Sequence, residues 1–168
     1  LSGIASGWAQ KSPQEAANFV ATLPAGEAQN RAALSVVSSW AHAEPDAAAA
    51  WAAKFPEGDT RENAFRNIMS SWAEADPTGA TQWMQTLPAG KSYDAAVNGF
   101  VNRLSYSSPE LAAPWTEQIS QEHQRRSMME MVAQNWLRTD RPAAEAWIAQ
   151  ASFSEDQKKR LLFKPPGR

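Results

Sequence analysis

Apolar residues fall in short stripes of helical period along the chain. One stripe holds Ala64, Phe65, Ile68, Met69 and Trp72. A second holds Ala96, Val97, Phe100, Val101 and Leu104, and a third holds Met128, Met129, Val132, Ala133 and Trp136. Spacings of one, three and four put each set on one face of a helix of about 15 residues. Shorter segments lie between the stripes: Pro13 to Leu23, Pro45 to Phe55, Pro77 to Leu87 and Pro109 to Ile119. Each predicts a helix of about 11 residues, roughly 16 Å long. Ser12, Glu44, Asp76 and Ser108 stand before the opening prolines, where a capping side chain is expected and proline is favoured. Pro24, Pro56 and Pro88 follow the first three segments and disfavour helix in the residue before them. The run then turns through "PAG" or "PEG". No strand-period alternation is present.

The stripes belong to a repeat. Trp8, Trp40, Trp72 and Trp136 lie on a lattice of 32 residues, with Leu104 in the remaining place. Eleven residues later come Phe19, Trp51, Trp83, Trp115 and Trp147. Pro13, Pro45, Pro77 and Pro109 share a third phase, and Pro142 is displaced by one. Ala16, Ala48, Ala80, Ala112 and Ala144 share another, as do Gly26, Gly58 and Gly90. The units are 9–40, 41–72, 73–104, 105–136 and 137–168, after an end fragment at 1–8. One such hairpin cannot bury its own apolar face, whereas stacked hairpins can. The expected fold is therefore all-α: one domain over 1–168, a right-handed α-α superhelix (solenoid) of about five two-helix repeats. Leu1, Ile4, Ala5 and Trp8 match the last turns of a second helix, so the array is expected to begin upstream in a longer chain. At the other end a helix near Glu155 to Phe163 is expected to stop at Pro165 and Pro166 as a polar cap.

Two roles fit the eight tryptophans. One ends each second helix and the other lies on the next first helix, so a short turn lets them pack in the seam between units. Each ring would bury about 150–250 Å² there, and truncation would cost roughly 3–5 kcal/mol. The alternative is an exposed aromatic ladder for sugars or extended peptides. Regular spacing favours the seam.

Charge and composition narrow the chemistry. Eighteen acidic and sixteen basic residues leave a net charge of -2, without the basic face that nucleic acid needs. No apolar run reaches the ~20 residues of a membrane helix. The absence of Cys excludes disulfides and thiolate zinc sites. His42 and His123 hold different phases in different repeats. No metalloprotease, phosphate-loop or serine-hydrolase motif is present. Asp46, Glu74 and Asp76 fall at helix starts, where they complement the dipole. The run from Asp156 to Arg168 carries five basic residues and reads as a solvated end, or as a contact for an acidic partner or anionic lipid. No catalytic residue, metal site, cofactor or small-molecule ligand is expected.

Solenoids bind along the face made by one helix series. The first-helix series offers Gln14, Asn18, Asp46, Lys54, Gln82, Gln85, Glu117 and Gln118 as candidate binding residues. These mild polar groups suit an extended polypeptide held by amide hydrogen bonds. The hairpin logic resembles tetratricopeptide and related α-solenoids. The stretch "WAEADPTGATQWMQTLPAG" from Trp72 resembles the WAxxDPxAAxxWxxxLPxG arrays of bacterial proteins. That resemblance implies a soluble bacterial chain, with a lean to the periplasm or secretion, and an interaction role. The expected function is a non-catalytic scaffold or protein- and peptide-binding module. A carbohydrate-binding or carbohydrate-processing array and a structural spacer are the alternatives.

Overall fold

The computed structural model describes residues 7–163. Among these the regular elements are all helices, with no strand. Leu1, Ile4 and Ala5 of the end fragment, and the stop at Pro165 and Pro166, lie outside the described residues. After a helical end at 7–9 come α1 (Pro13–Thr22), α2 (Glu27–Trp40), α3 (Pro45–Ala52), α4 (Asp59–Ala75) and α5 (Pro77–Met84). Then follow α6 (Lys91–Leu104), α7 (Pro109–Thr116), α8 (Glu122–Thr139), α9 (Arg141–Gln150) and α10 (Glu155–Leu162). The chain forms two compact units, Leu1–Phe100 and Val101–Arg168. In the first, α2 packs on α1, α3 and α4, and α4 also packs on α3 and α5. In the second, α8 packs on α7, α9 and α10, and α9 also packs on α10.

The first helices are shorter than the sequence predicts. α1 has 10 residues, and α3, α5 and α7 have 8 each. The missing residues form a tight closing turn. Leu23, Phe55, Leu87 and Ile119 donate to the carbonyls of Val20, Ala52, Met84 and Thr116, a three-residue reach that ends the α-helix before the turn. Two second helices run past their lattice tryptophan, α4 to Ala75 and α8 to Thr139.

The caps also depart from expectation. Asp76 accepts from the Gly79 N–H at 3.0 Å, and Asp140 from the Ala143 N–H at 3.2 Å. Ser12, Glu44 and Ser108 make no side-chain cap bond. The longer Glu44 carboxylate instead accepts from Trp40 Nε1 at 2.9 Å and from Gln14 Nε2 at 3.2 Å. It fastens a lattice tryptophan and the preceding first helix rather than its own helix. The glycines of the turn have a conformational cause. Gly26, Gly58 and Gly90 hold φ of 152°, 140° and 150°, a region that side chains oppose. At the same phase in the last two repeats stand Glu122 and Ser154. There α8 begins after Gln121, and α10 begins with a Ser154–Gln157 capping box.

The expected stripes form the core. Ala64, Phe65, Ile68, Met69 and Trp72 are buried, as are Ala96, Val97, Phe100, Val101 and Leu104. In the third stripe Met129, Val132 and Ala133 are buried, while Met128 and Trp136 are only half-buried. First helices meet the core through small residues: Ala16 and Ala17, Ala48, Ala49 and Ala52, Ala80, and Ala112 and Ala113. Inside α6, a Cβ on Gly99 would run into the Arg66 backbone carbonyl of α4, so glycine permits this helix contact.

Helix propensity alone predicts that Gly99→Ala stabilises α6 by about 1 kcal/mol. The contact with α4 reverses that sign, and chemical denaturation should show a loss of about 1–3 kcal/mol. Asp76→Ala should cost about 1 kcal/mol for its cap. Ser108→Ala should leave the denaturation midpoint nearly unchanged, since no cap bond is lost.

Candidate functional site

Every candidate side chain on the first-helix series is exposed: Gln14, Asn18, Asp46, Lys54, Gln82, Gln85, Glu117 and Gln118. Gln14 and Glu117 bond across successive repeats. Gln14 donates to Glu44, and Glu117 accepts from the Ser152 hydroxyl at 3.0 Å. Of the eight, only Lys54 lines one of the three recesses described next.

The recesses lie elsewhere, beside the turns that join the two helices of a repeat. The largest, about 660 Å³, is bounded by Gln29, Asn30 and Ala33 of α2, by Trp51 of α3, and by the Lys54–Thr60 turn. A second, about 510 Å³, lies between Glu57–Glu62 and the turn Pro88–Ser92. Both are within the first unit. In the second unit a recess of about 360 Å³ lies between Glu122, Arg125, Arg126 and Met129 of α8 and the Ser152–Ser154 turn. All three occupy one place in the repeat, between the start of a second helix and the turn that comes 32 residues later.

The seam tryptophans supply an aromatic wall to the largest recess. The lattice rings pair with their partners as the spacing predicts. Ring centroids are 5.6 Å apart for Trp8–Phe19, 6.1 Å for Trp40–Trp51, 6.3 Å for Trp72–Trp83 and 5.9 Å for Trp136–Trp147, all tilted. Trp40 and Trp72 are buried, whereas Trp8, Trp51, Trp83, Trp115, Trp136 and Trp147 are half-buried. Trp51 also meets the edge of Phe55 at 4.7 Å. Both rings therefore reach the recess while anchored in the seam. Beside them are Lys54, Glu57 and Asp59. Gln29 is held by its amide N–H donating to the Val20 carbonyl at 3.1 Å.

The second recess carries Glu57, Asp59, Glu62, Arg61 and Lys91. Arg61 lies 3.7 Å from Glu57, and its guanidinium sits 5.6 Å from the Phe65 ring centroid. In the third, Arg126 pairs with Glu122 at 2.7 Å and Arg125 donates to the Ile119 carbonyl at 2.8 Å. His42 contacts the Ser38 carbonyl through Nδ1, and neither it nor His123 lines these recesses. Among the described residues no group of three or more His, Cys, Asp or Glu is placed to hold a metal ion. No described helix is long and apolar enough to cross a membrane. No family model matches the chain, nor does any curated protein or solved structure.

An ionisable pair is buried without any signal in the residue pattern. Tyr93 and Asp94 open α6, and both are buried. Burial, and secondly the adjacent Asp94 carboxylate, raise the Tyr93 phenol above its ordinary 10.0. The unfolded phenol therefore ionises first as pH rises, so this contribution is complete below the unfolded value and is lost between it and the folded one. Melting temperature should fall with a steeper slope above about pH 10 in the parent than in Tyr93→Phe.

Proposed function

We propose that this chain is a helical-repeat interaction module. In this reading the 32-residue hairpin builds a tetratricopeptide-like α-α superhelix of about five repeats, and its partner is a polypeptide. The observation that carries it is the recurrence of one recess at one phase of the repeat. Repeated recesses of changing side chains suit a ligand that is itself a chain of changing side chains. Charges of both signs line each of them. That mixture fits polypeptide better than a polyanion, which draws a stripe of Lys and Arg. The binding edge so proposed is the turn edge. It includes Lys54 but not the remainder of the first-helix polar series.

Trp51 and Phe55 at the largest recess support a second reading, a carbohydrate site that stacks a sugar ring. A random peptide library displayed on phage, selected against the immobilised chain, separates the two. The interaction module predicts convergence on a peptide motif that soluble oligosaccharides fail to displace. Failure to enrich any peptide, with retention of the chain on a glycan array, would favour the carbohydrate reading and overturn this one.

A further inference from the structure

The largest of the three recesses is the one that reaches a seam tryptophan. Its floor and wall are Ala33 and Gln29, facing Trp51. One repeat later the same three positions are Phe65, Arg61 and Trp83. There the part of the space beside the ring is filled by the chain itself, and the recess of about 510 Å³ is confined to the turns. Phe65 is fully buried and meets the Trp83 ring edge-on at 5.0 Å. Arg61 lies over Phe65, its guanidinium 5.6 Å from the ring centroid. In the second unit the corresponding residues are Met129, Arg125 and Trp147, and Trp147 packs against a cluster containing Met129. The third interval carries Tyr93, Val97 and Trp115 at these positions, and alanine stands at the Phe65 position in the first alone.

We propose that the recess lined by Gln29, Ala33 and Trp51 receives side chains from a partner polypeptide, namely an aromatic residue with an arginine one helical turn before it. This rests on the interaction-module reading and specifies its ligand. The second interval is the template. Arg61 and Phe65 are four residues apart on α4; α2 holds that place in the first interval, so a helical partner segment would present the same spacing from the open side of the recess. The volume of about 660 Å³ is that of an ordinary ligand site. Asp59 supplies a carboxylate at the mouth, beside Lys54 and Glu57, the latter also 3.7 Å from Arg61. The phenyl group would meet Trp51 as Phe65 meets Trp83. The guanidinium would lie over that phenyl, within reach of the carboxylates.

The test uses a short helical peptide carrying Arg and Phe four residues apart, and a twin with Ala for Phe. Binding is read by tryptophan fluorescence of the chain and by calorimetry. The Phe peptide should bind, and the Ala twin should bind about ten-fold more weakly or worse. The double variant Gln29→Arg with Ala33→Phe copies the second interval and fills the recess. It should melt higher than the parent and lose the Phe peptide. Ala33→Met, copying Met129, is the milder filling and should weaken binding without loss of fold. Equal binding to the parent and to a folded filled variant would overturn the assignment. So would failure of the Phe peptide to bind at all. If library-selected peptides still bind in those cases, the module reading stands and only this recess is wrong. If the library enriches nothing, the module reading falls as well.

Discussion

The fold depends on an aromatic contact across a gap of eleven residues. A ring that ends one second helix packs, tilted, on a ring of the next first helix, at centroid distances of 5.6 to 6.3 Å. Phe65 adds a second ring contact of this kind, edge-on to Trp83 at 5.0 Å. The intervening first helix is one of 8 to 10 residues with an alanine face, so backbones approach closely and the rings carry the bulk of the seam. The polar contacts serve the same joint. Glu44 holds the Trp40 indole N–H and the Gln14 amide together, and Ser152 reaches Glu117. Proline at the head of the helix and glycine at the turn fix where the second ring arrives.

A seam of this kind leaves space on its turn side, and the second-helix residues facing the rings decide whether that space is filled. Phe65 and Arg61 fill the part beside the ring in one interval, leaving a recess of about 510 Å³ between the turns, whereas Ala33 and Gln29 leave the ring side open in the interval before. The repeat thus makes a recess by deletion. Four junctions keep the aromatic pair, and the open interval and the first filled one differ in the residues opposite it. Binding capacity can therefore vary from repeat to repeat without loss of the seam.

Much of this was legible in the sequence. The lattice of 32 gave the helix pairs, the core stripes and the ring partners, because each depends on spacing along a regular element. Helix ends were less legible. The three-residue closing bonds at Leu23, Phe55, Leu87 and Ile119 are a local choice that apolar periodicity does not encode. Capping failed at Glu44, whose carboxylate Trp40 and Gln14 engage, and at Ser12 and Ser108, where nothing in the structure explains it. The recess was missed because its walls come from two repeats and from the turn edge, not from one helix face. Its signal was nevertheless present, as Ala33 at a phase held elsewhere by Phe65, Val97, Met129 and Leu161. The burial of Asp94 had no sequence signal, since a carboxylate in a first helical turn is ordinarily solvated.

The seam is tested most directly by a double-mutant cycle on Trp72 and Trp83, each changed to leucine, the residue that holds the lattice place at Leu104. Unfolding free energies of the parent, both single variants and the double variant give the coupling. A seam held by ring-on-ring packing predicts a coupling of about 0.5–1.5 kcal/mol. Single losses that sum to the double loss within about 0.3–0.5 kcal/mol would show independent rings and contradict it.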